Sequence, residues 1–171
     1  GKNMIATYSN DGEGKGGIVF DSGFGRFLNG SGEKFDNRNY VQNIAEWLEQ
    51  SNSSSVKKRI LIYDTFARSG LDKDSFAQHT LTLLKNKGFT VDITDRHETP
   101  EVSERLLGDY GQLWLLFGES GSGKDFSVAE LDAISRFNGE GRSMLIVAGK
   151  HQGGSNDLTA VNQLSSRYGV I

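Results

Sequence analysis

The 171-residue chain has no cysteine, a single proline and no long apolar run. Without cysteine it has no disulfide, no thiolate metal site and no cysteine nucleophile. A membrane span needs roughly 18 consecutive apolar residues, so we expect no membrane span in this chain. The formal charge of −3 offers no basic surplus for a phosphate backbone, and we expect no nucleic-acid partner. The absence of cysteine and of a signal-peptide pattern favours the cytoplasm.

A serine-rich stretch divides the sequence into two pieces. Residues 51–55 predict a linker between an N-terminal piece, 1–50, and a longer piece, 56–171. A hairpin and one helix bury little core alone, so we expect both pieces to share one hydrophobic core. The sequence therefore predicts a single α/β domain over 1–171.

The longer piece alternates between strand and helix patterns. Short apolar runs predict buried strands at Arg59–Asp64, Phe89–Thr94, Leu113–Phe117 and Met144–Ala148. A helix is predicted over about 72–87 with Gly88 as its C-cap, and a second begins at Thr99 as N-cap. A third follows the capping box Ser127–Glu130 and has an apolar stripe that begins at Val128. The last is predicted over 156–167. This order predicts a three-layer, flavodoxin-like sandwich, with a mainly parallel sheet and helices on both faces.

The N-terminal piece predicts a β-hairpin followed by one helix. Met4–Tyr8 and Gly17–Asp21 flank a glycine-rich loop, and Asn39–Glu49 has an apolar helical face. We expect these elements to extend the parallel sheet. Basic and aromatic residues alternate in the loop 22–38, which is one pattern of anion and nucleic-acid sites. We favour a loop that folds onto the sheet and buries its aromatic side chains.

Two stretches resemble class I glutamine amidotransferase-like domains. Residues 126–170 (FSVAELDAISRFNGEGRSMLIVAGKHQGGSNDLTAVNQLSSRYGV) follow the order of that core. The resemblance is to an uncharacterised branch without apparent catalysis, found in gliding-motility and transporter-associated proteins and in an intraflagellar transport subunit. GKGGIVFDSGFGRF and DNRNYVQNIAEWL resemble the family's closing segment, which here stands first. The domain is either circularly permuted, or residues 1–50 are the tail of a preceding domain.

The resemblance implies a binding or protein-interaction module with a protein partner or a neighbouring domain. Enzymes of this superfamily carry a nucleophilic cysteine on the turn after a central strand. The matching turn reads Gly149-Lys150-His151 and has neither cysteine nor serine. We therefore predict no catalytic residue and no cofactor.

Four ionisable side chains follow predicted strands: Asp21, Asp64, Glu119 and His151. Ligands of open parallel sheets bind at the carboxyl ends of the strands. If the four converge, they form a candidate ligand cleft that holds a metal ion or an acid–base pair. Each is explained more simply as a cap of the next helix, and we predict no metal.

A glycine-rich loop between a strand and a helix resembles a phosphate-binding loop. Gly118, Gly123 and Lys124 match all but the last position of G-x-x-x-x-G-K-[ST], and Gly121 lies between them as a further glycine of the candidate loop. Asp125 replaces the hydroxyl that holds magnesium, and its charge repels a triphosphate. We favour a Gly-Ser loop over the sheet edge. The alternative function is a hydrolase or a nucleotide- or phosphate-binding protein that uses this loop or the strand-end residues.

Overall fold

The fold is that of a computed structural model, which describes residues 5–8, 14–27, 36–65, 78–117, 125–148 and 159–170. Its strands are β1 (Ile5–Tyr8), β2 (Ile18–Asp21), β3 (Arg59–Asp64), β4 (Thr90–Asp95), β5 (Gln112–Phe117) and β6 (Ser143–Ala148). Its helices are α1 (Asn37–Ser51), α2 (Gln78–Asn86), α3 (Glu104–Leu107), α4 (Val128–Gly139) and α5 (Thr159–Ser166), with a short 3-10 helix at Phe24–Phe27.

The six strands form one sheet in the order β1-β2-β6-β5-β3-β4. β2, β6, β5, β3 and β4 run parallel, and β1 pairs antiparallel with β2 at one edge. Helices cover both faces, so the predicted flavodoxin-like sandwich is confirmed. The chain reaches β4 on one side of β3 and then crosses to β5 on the other. The topological switch point of the sheet therefore lies between β3 and β5.

Each face of the sheet has its own hydrophobic core. On one face, Leu115 and Ile146 pack with residues of α3, α4 and α5. On the other, Trp114 and Leu145 pack with α1, α2 and the 3-10 helix. The N-terminal piece contributes Ile18 to the first core and Val19 to the second. Both cores thus contain residues of both pieces.

Most element boundaries follow their local signals. Gly88 has a φ of +84° just after α2, and its N–H donates to the Lys85 carbonyl at 2.9 Å, which makes it the predicted C-cap. The predicted helix starting at Thr99 is wrong, because α3 begins at Glu104 with Ser103 as N-cap. The Thr99 hydroxyl instead bonds Thr94 at 2.8 Å, in a turn that closes after β4. Val128 is also not inward, since it is 70% exposed.

The serine run between the two pieces is not a free linker. Ser51 is the last residue of α1, and Asn52 is buried. The Asn52 amide donates to the Val56 carbonyl at 2.7 Å, and its oxygen accepts from the Ser54 N–H at 2.9 Å. A buried asparagine side chain needs hydrogen-bond partners for its polar atoms. The segment is therefore a turn at the amino edge of the sheet that is held by the hydrogen bonds of Asn52.

A buried side-chain amide holds the start of β2 beside β6. The Asn138 side chain donates to the carbonyls of Gly16 at 2.8 Å and of Arg142 at 3.0 Å. The Gly16 N–H donates back to the Asn138 carbonyl at 3.1 Å. A Cβ on Gly16 would lie 2.0 Å from the Arg142 carbonyl oxygen, so only glycine permits this approach.

A second buried amide connects α1 to the middle of the sheet. The Gln112 amide donates to the Ala45 carbonyl at 3.0 Å, and its oxygen accepts from the Trp114 indole at 3.1 Å. Both side chains are fully buried. Such buried bonds add little net free energy when made, but cost more when broken. They therefore specify where α1 and β2 dock.

We predict that Asn138→Ala lowers the free energy of unfolding by about 2–3 kcal/mol, because it leaves the buried Gly16 carbonyl and the partly buried Arg142 carbonyl without their donor. Asn162→Ala is the control, since Asn162 is exposed on α5, and it should change stability by less than about 0.5 kcal/mol. Urea denaturation measures both. Equal stability of the two variants would contradict the assigned role of Asn138.

Candidate functional site

Asp21 and Asp64 end their strands on one row across the sheet. The register pairs Asp21 with Val147, Val147 with Leu116, and Leu116 with Asp64. Three strand spacings of about 4.8 Å place the two aspartates about 14 Å apart. Ligands of one divalent cation each lie about 2–2.6 Å from it, so these two carboxylates do not share a metal ion or form an acid–base pair.

Both oxygens of the Asp21 carboxylate accept two hydrogen bonds each from nearby residues. One oxygen accepts from the Gly23 N–H at 2.7 Å and from Arg26 Nη1 at 2.7 Å. The other accepts from the Tyr40 hydroxyl at 2.7 Å and from the same Arg26 nitrogen at 3.0 Å. The carboxylate side chain is 0% exposed and that of Arg26 is 17% exposed. These contacts favour a structural role for Asp21.

Tyr40 and Arg26 complete this cluster. The Arg26 guanidinium lies over the Tyr40 ring, 4.9 Å from its centroid. Burial, and then the bond to the Asp21 carboxylate, raises the pKa of Tyr40 far above its ordinary value. The hydroxyl thus stays protonated and donates to Asp21. The three residues tie β2, the 3-10 helix and the first turn of α1 together.

The aromatic residues of the loop between β2 and α1 are buried where the structure describes them. Phe24 and Phe27 lie in the core beneath α1, and Phe27 meets the Trp114 ring edge-on at 6.3 Å. Arg26 bonds Asp21 instead of facing solvent as part of a basic patch. The folded-loop interpretation is confirmed for these residues.

Asp64 lies beside the switch point. Its side chain is buried, and the next residue, Thr65, bonds to β5. Both the N–H and the hydroxyl of Thr65 donate to the Leu116 carbonyl at 3.0 Å. In parallel sheets this crevice is the usual ligand position. Of the two cleft residues that the structure describes, Asp64 is therefore the one beside this crevice.

Several predicted site residues lie outside the described residues. These are Glu119, His151, Gly118, Gly121, Gly123 and Lys124. Within the described ranges, no three histidine, aspartate or glutamate side chains come together as a metal site. The phosphate-loop interpretation and the contribution of Glu119 and His151 to a cleft remain predictions.

The carboxyl edge holds a buried ion pair that the sequence does not predict. Arg96 follows β4, and its Nη1 lies 2.6 Å from Glu130 Oε1, with both side chains at most 5% exposed. Glu130 is the N3 residue of the α4 capping box: it accepts from the Ser127 N–H at 2.9 Å, and also from the Val102 N–H at 3.1 Å. The capping box predicted the glutamate, but no local signal pointed to Arg96.

The environment of Glu130 sets its charge. Burial alone raises the pKa of its carboxyl, but the bonds donated by Ser127, Val102 and Arg96 outweigh burial, and the net pKa is below the ordinary value. The carboxylate is therefore ionised at neutral pH, and Arg96 stays paired with it.

We predict that Asp21→Asn costs about 2–3 kcal/mol of stability, because it leaves the largely buried Arg26 without its counter-charge. Asp132→Asn is the matched control: Asp132 pairs with Arg167 at 2.7 Å, but both side chains are exposed, so its loss should cost less than about 1 kcal/mol. Thermal and urea unfolding of both variants check this. A cost for Asp21→Asn no larger than that of the control would contradict the structural role.

Comparison with known proteins assigns no family. No protein-family model matches the chain, and no curated protein or solved structure is significantly similar to it. Among the described helices, none is both long and apolar enough to cross a membrane.

Proposed function

We propose that this chain is a non-catalytic binding module that serves a larger protein or assembly, with its ligand-binding face at the carboxyl edge of the sheet. The observation that carries the proposal is the state of the two described strand-end aspartates. Asp21 is saturated by bonds to Gly23, Arg26 and Tyr40, and Asp64 lies about 14 Å away. This arrangement supports binding over acid–base or metal chemistry between them.

Two further points support the proposal. The chain has no cysteine, and the sequence Gly149-Lys150-His151, which matches the nucleophile position of the amidotransferase-like domains, has no serine either. The nucleophile chemistry of that superfamily therefore has no counterpart here. The switch point between β3 and β5 is where open α/β sheets bind ligands, and Asp64 and Thr65 flank it. A neighbouring domain or partner protein that presents a segment to this crevice is the interaction that the resemblance favours.

The proposal predicts binding without turnover. In a panel of ester, amide and phosphoester substrates, the protein should give no rate above the buffer blank.

In NMR titrations with nucleotides, sugar phosphates and carboxylic acids, the shifted amides should cluster around Asp64 and Thr65. Asp64→Asn should strengthen the binding of these anionic probes, because it removes a like charge beside them, whereas Asp92→Asn, at an exposed position of β4, should leave it unchanged. Hydrolysis that is lost in Asp64→Asn but retained in Asp92→Asn would overturn the proposal in favour of an enzyme.

A further inference from the structure

Arg96 has a donor edge that the protein does not use. Its Nη1 donates to Glu130 Oε1 at 2.6 Å and to the Pro100 carbonyl at 2.9 Å. Its Nε and Nη2 are buried and have no hydrogen-bond partner. These two nitrogens form one side of the guanidinium, and their N–H bonds are parallel. The side chain is thus fixed at one end and unsatisfied along a complete bidentate edge.

Among the described arginines, this arrangement is particular to Arg96. Arg59 and Arg142 also have unpartnered buried atoms, but only Nε in each case. A buried charged donor without a partner costs more than a neutral one. The Phe126 and Tyr63 rings lie 5.0 and 5.9 Å from Arg96 Cζ, which stabilises the cation. The ring contacts leave both N–H donors without an acceptor oxygen.

We propose that the Nε–Nη2 edge of Arg96 is a subsite for a small oxyanion group, a carboxylate or a phosphate monoester. Planar carboxylates and phosphates match two parallel N–H donors, and such charge-assisted pairs are the strong class of hydrogen bond. Arg96 cancels Glu130, and the amino end of α4, whose first turn holds Glu130, adds about half a positive charge. The carboxylates of Asp64 and Asp95 also act on the Tyr63 hydroxyl, so the edge favours an oxyanion through its two directed N–H donors and not through a surplus of positive charge.

The position of the edge connects it to the proposed binding face, on which this inference rests. Tyr63 belongs to β3, one residue before Asp64, and its hydroxyl donates to the Thr99 carbonyl at 2.6 Å. The guanidinium therefore sits at the carboxyl ends of β3 and β4, next to the switch point. Because Nε and Nη2 are covered, a single oxyanion group reaches them only with a shift of nearby side chains, so a bulky group is excluded.

The test follows the arginine Nε–Hε signals of the intact 171-residue protein by ¹⁵N NMR. The probes are inorganic phosphate and acetate, titrated at constant ionic strength against sodium chloride. We expect the Arg96 signal to move saturably, with half-saturation at about 1 mM or below, the weak range of specific affinity. The Arg167 signal is the internal control, because this exposed guanidinium is already paired with Asp132. A response to phosphate alone or to acetate alone identifies the source of the oxyanion.

Two variants separate the edge from the charge. Arg96→Lys keeps a cation near Glu130 but removes the bidentate edge. In the unaltered protein we also expect saturable shifts of the amides of Phe126, whose ring lies against Arg96, and of the next residue, Ser127, and these shifts should disappear in Arg96→Lys. Arg136→Lys, at an exposed arginine paired with Glu104, should retain them. An Arg96 signal that neither anion moves, or that moves no more than Arg167, would overturn the subsite. That result leaves the binding-module proposal standing, since hydrolysis in the substrate panel is what contradicts the module.

Discussion

The parallel pairing of β2 with β6 is the constraint on which the rest of the structure depends. It places the first strands of the chain beside its last strand, and it carries α1 onto the face that α2 also covers. The contact is close because Gly16 has no side chain and Asn138 bonds its carbonyl. With β2 in place, the five parallel strands have the order of a flavodoxin-like sheet whose last strand comes first in sequence.

The two edges of this sheet have different chemistry. At the amino edge, buried amides satisfy backbone carbonyls: Asn52 and Gln112 each donate to one, and Asn138 donates to two. At the carboxyl edge, two ion pairs fix the loops, Asp21 with Arg26 and Glu130 with Arg96. In the Asp21–Arg26 pair, every carboxylate oxygen has hydrogen-bond donors, which favours a structural role. The second leaves two charged donors unsatisfied, and a binding face is where such unused donors are expected.

The sequence predicts what is local and periodic. The apolar runs of β3, β5 and β6, the Gly88 C-cap and the Ser127 capping box each depend on residues close in the chain, and each is present. Thr99 fails as an N-cap because its hydroxyl bonds Thr94. The sequence predicts Asp21 as a candidate site residue. Its structural role depends on the bond from Tyr40, 19 positions later, which no local pattern predicts. The Arg96–Glu130 pair spans 34 positions, and no pattern in one sequence reveals such a contact.

Native-state hydrogen exchange tests most directly whether the two pieces of the chain form one cooperative structure. If they do, the slowest amides of β2 and α1 exchange with the same free energy as those of β5 and β6, because all of them open only in global unfolding. Small additions of denaturant should lower these free energies with a common slope. Exchange of β2 and α1 at a clearly lower free energy, while β3 to β6 remain protected, would show that the N-terminal piece is a separable appendage.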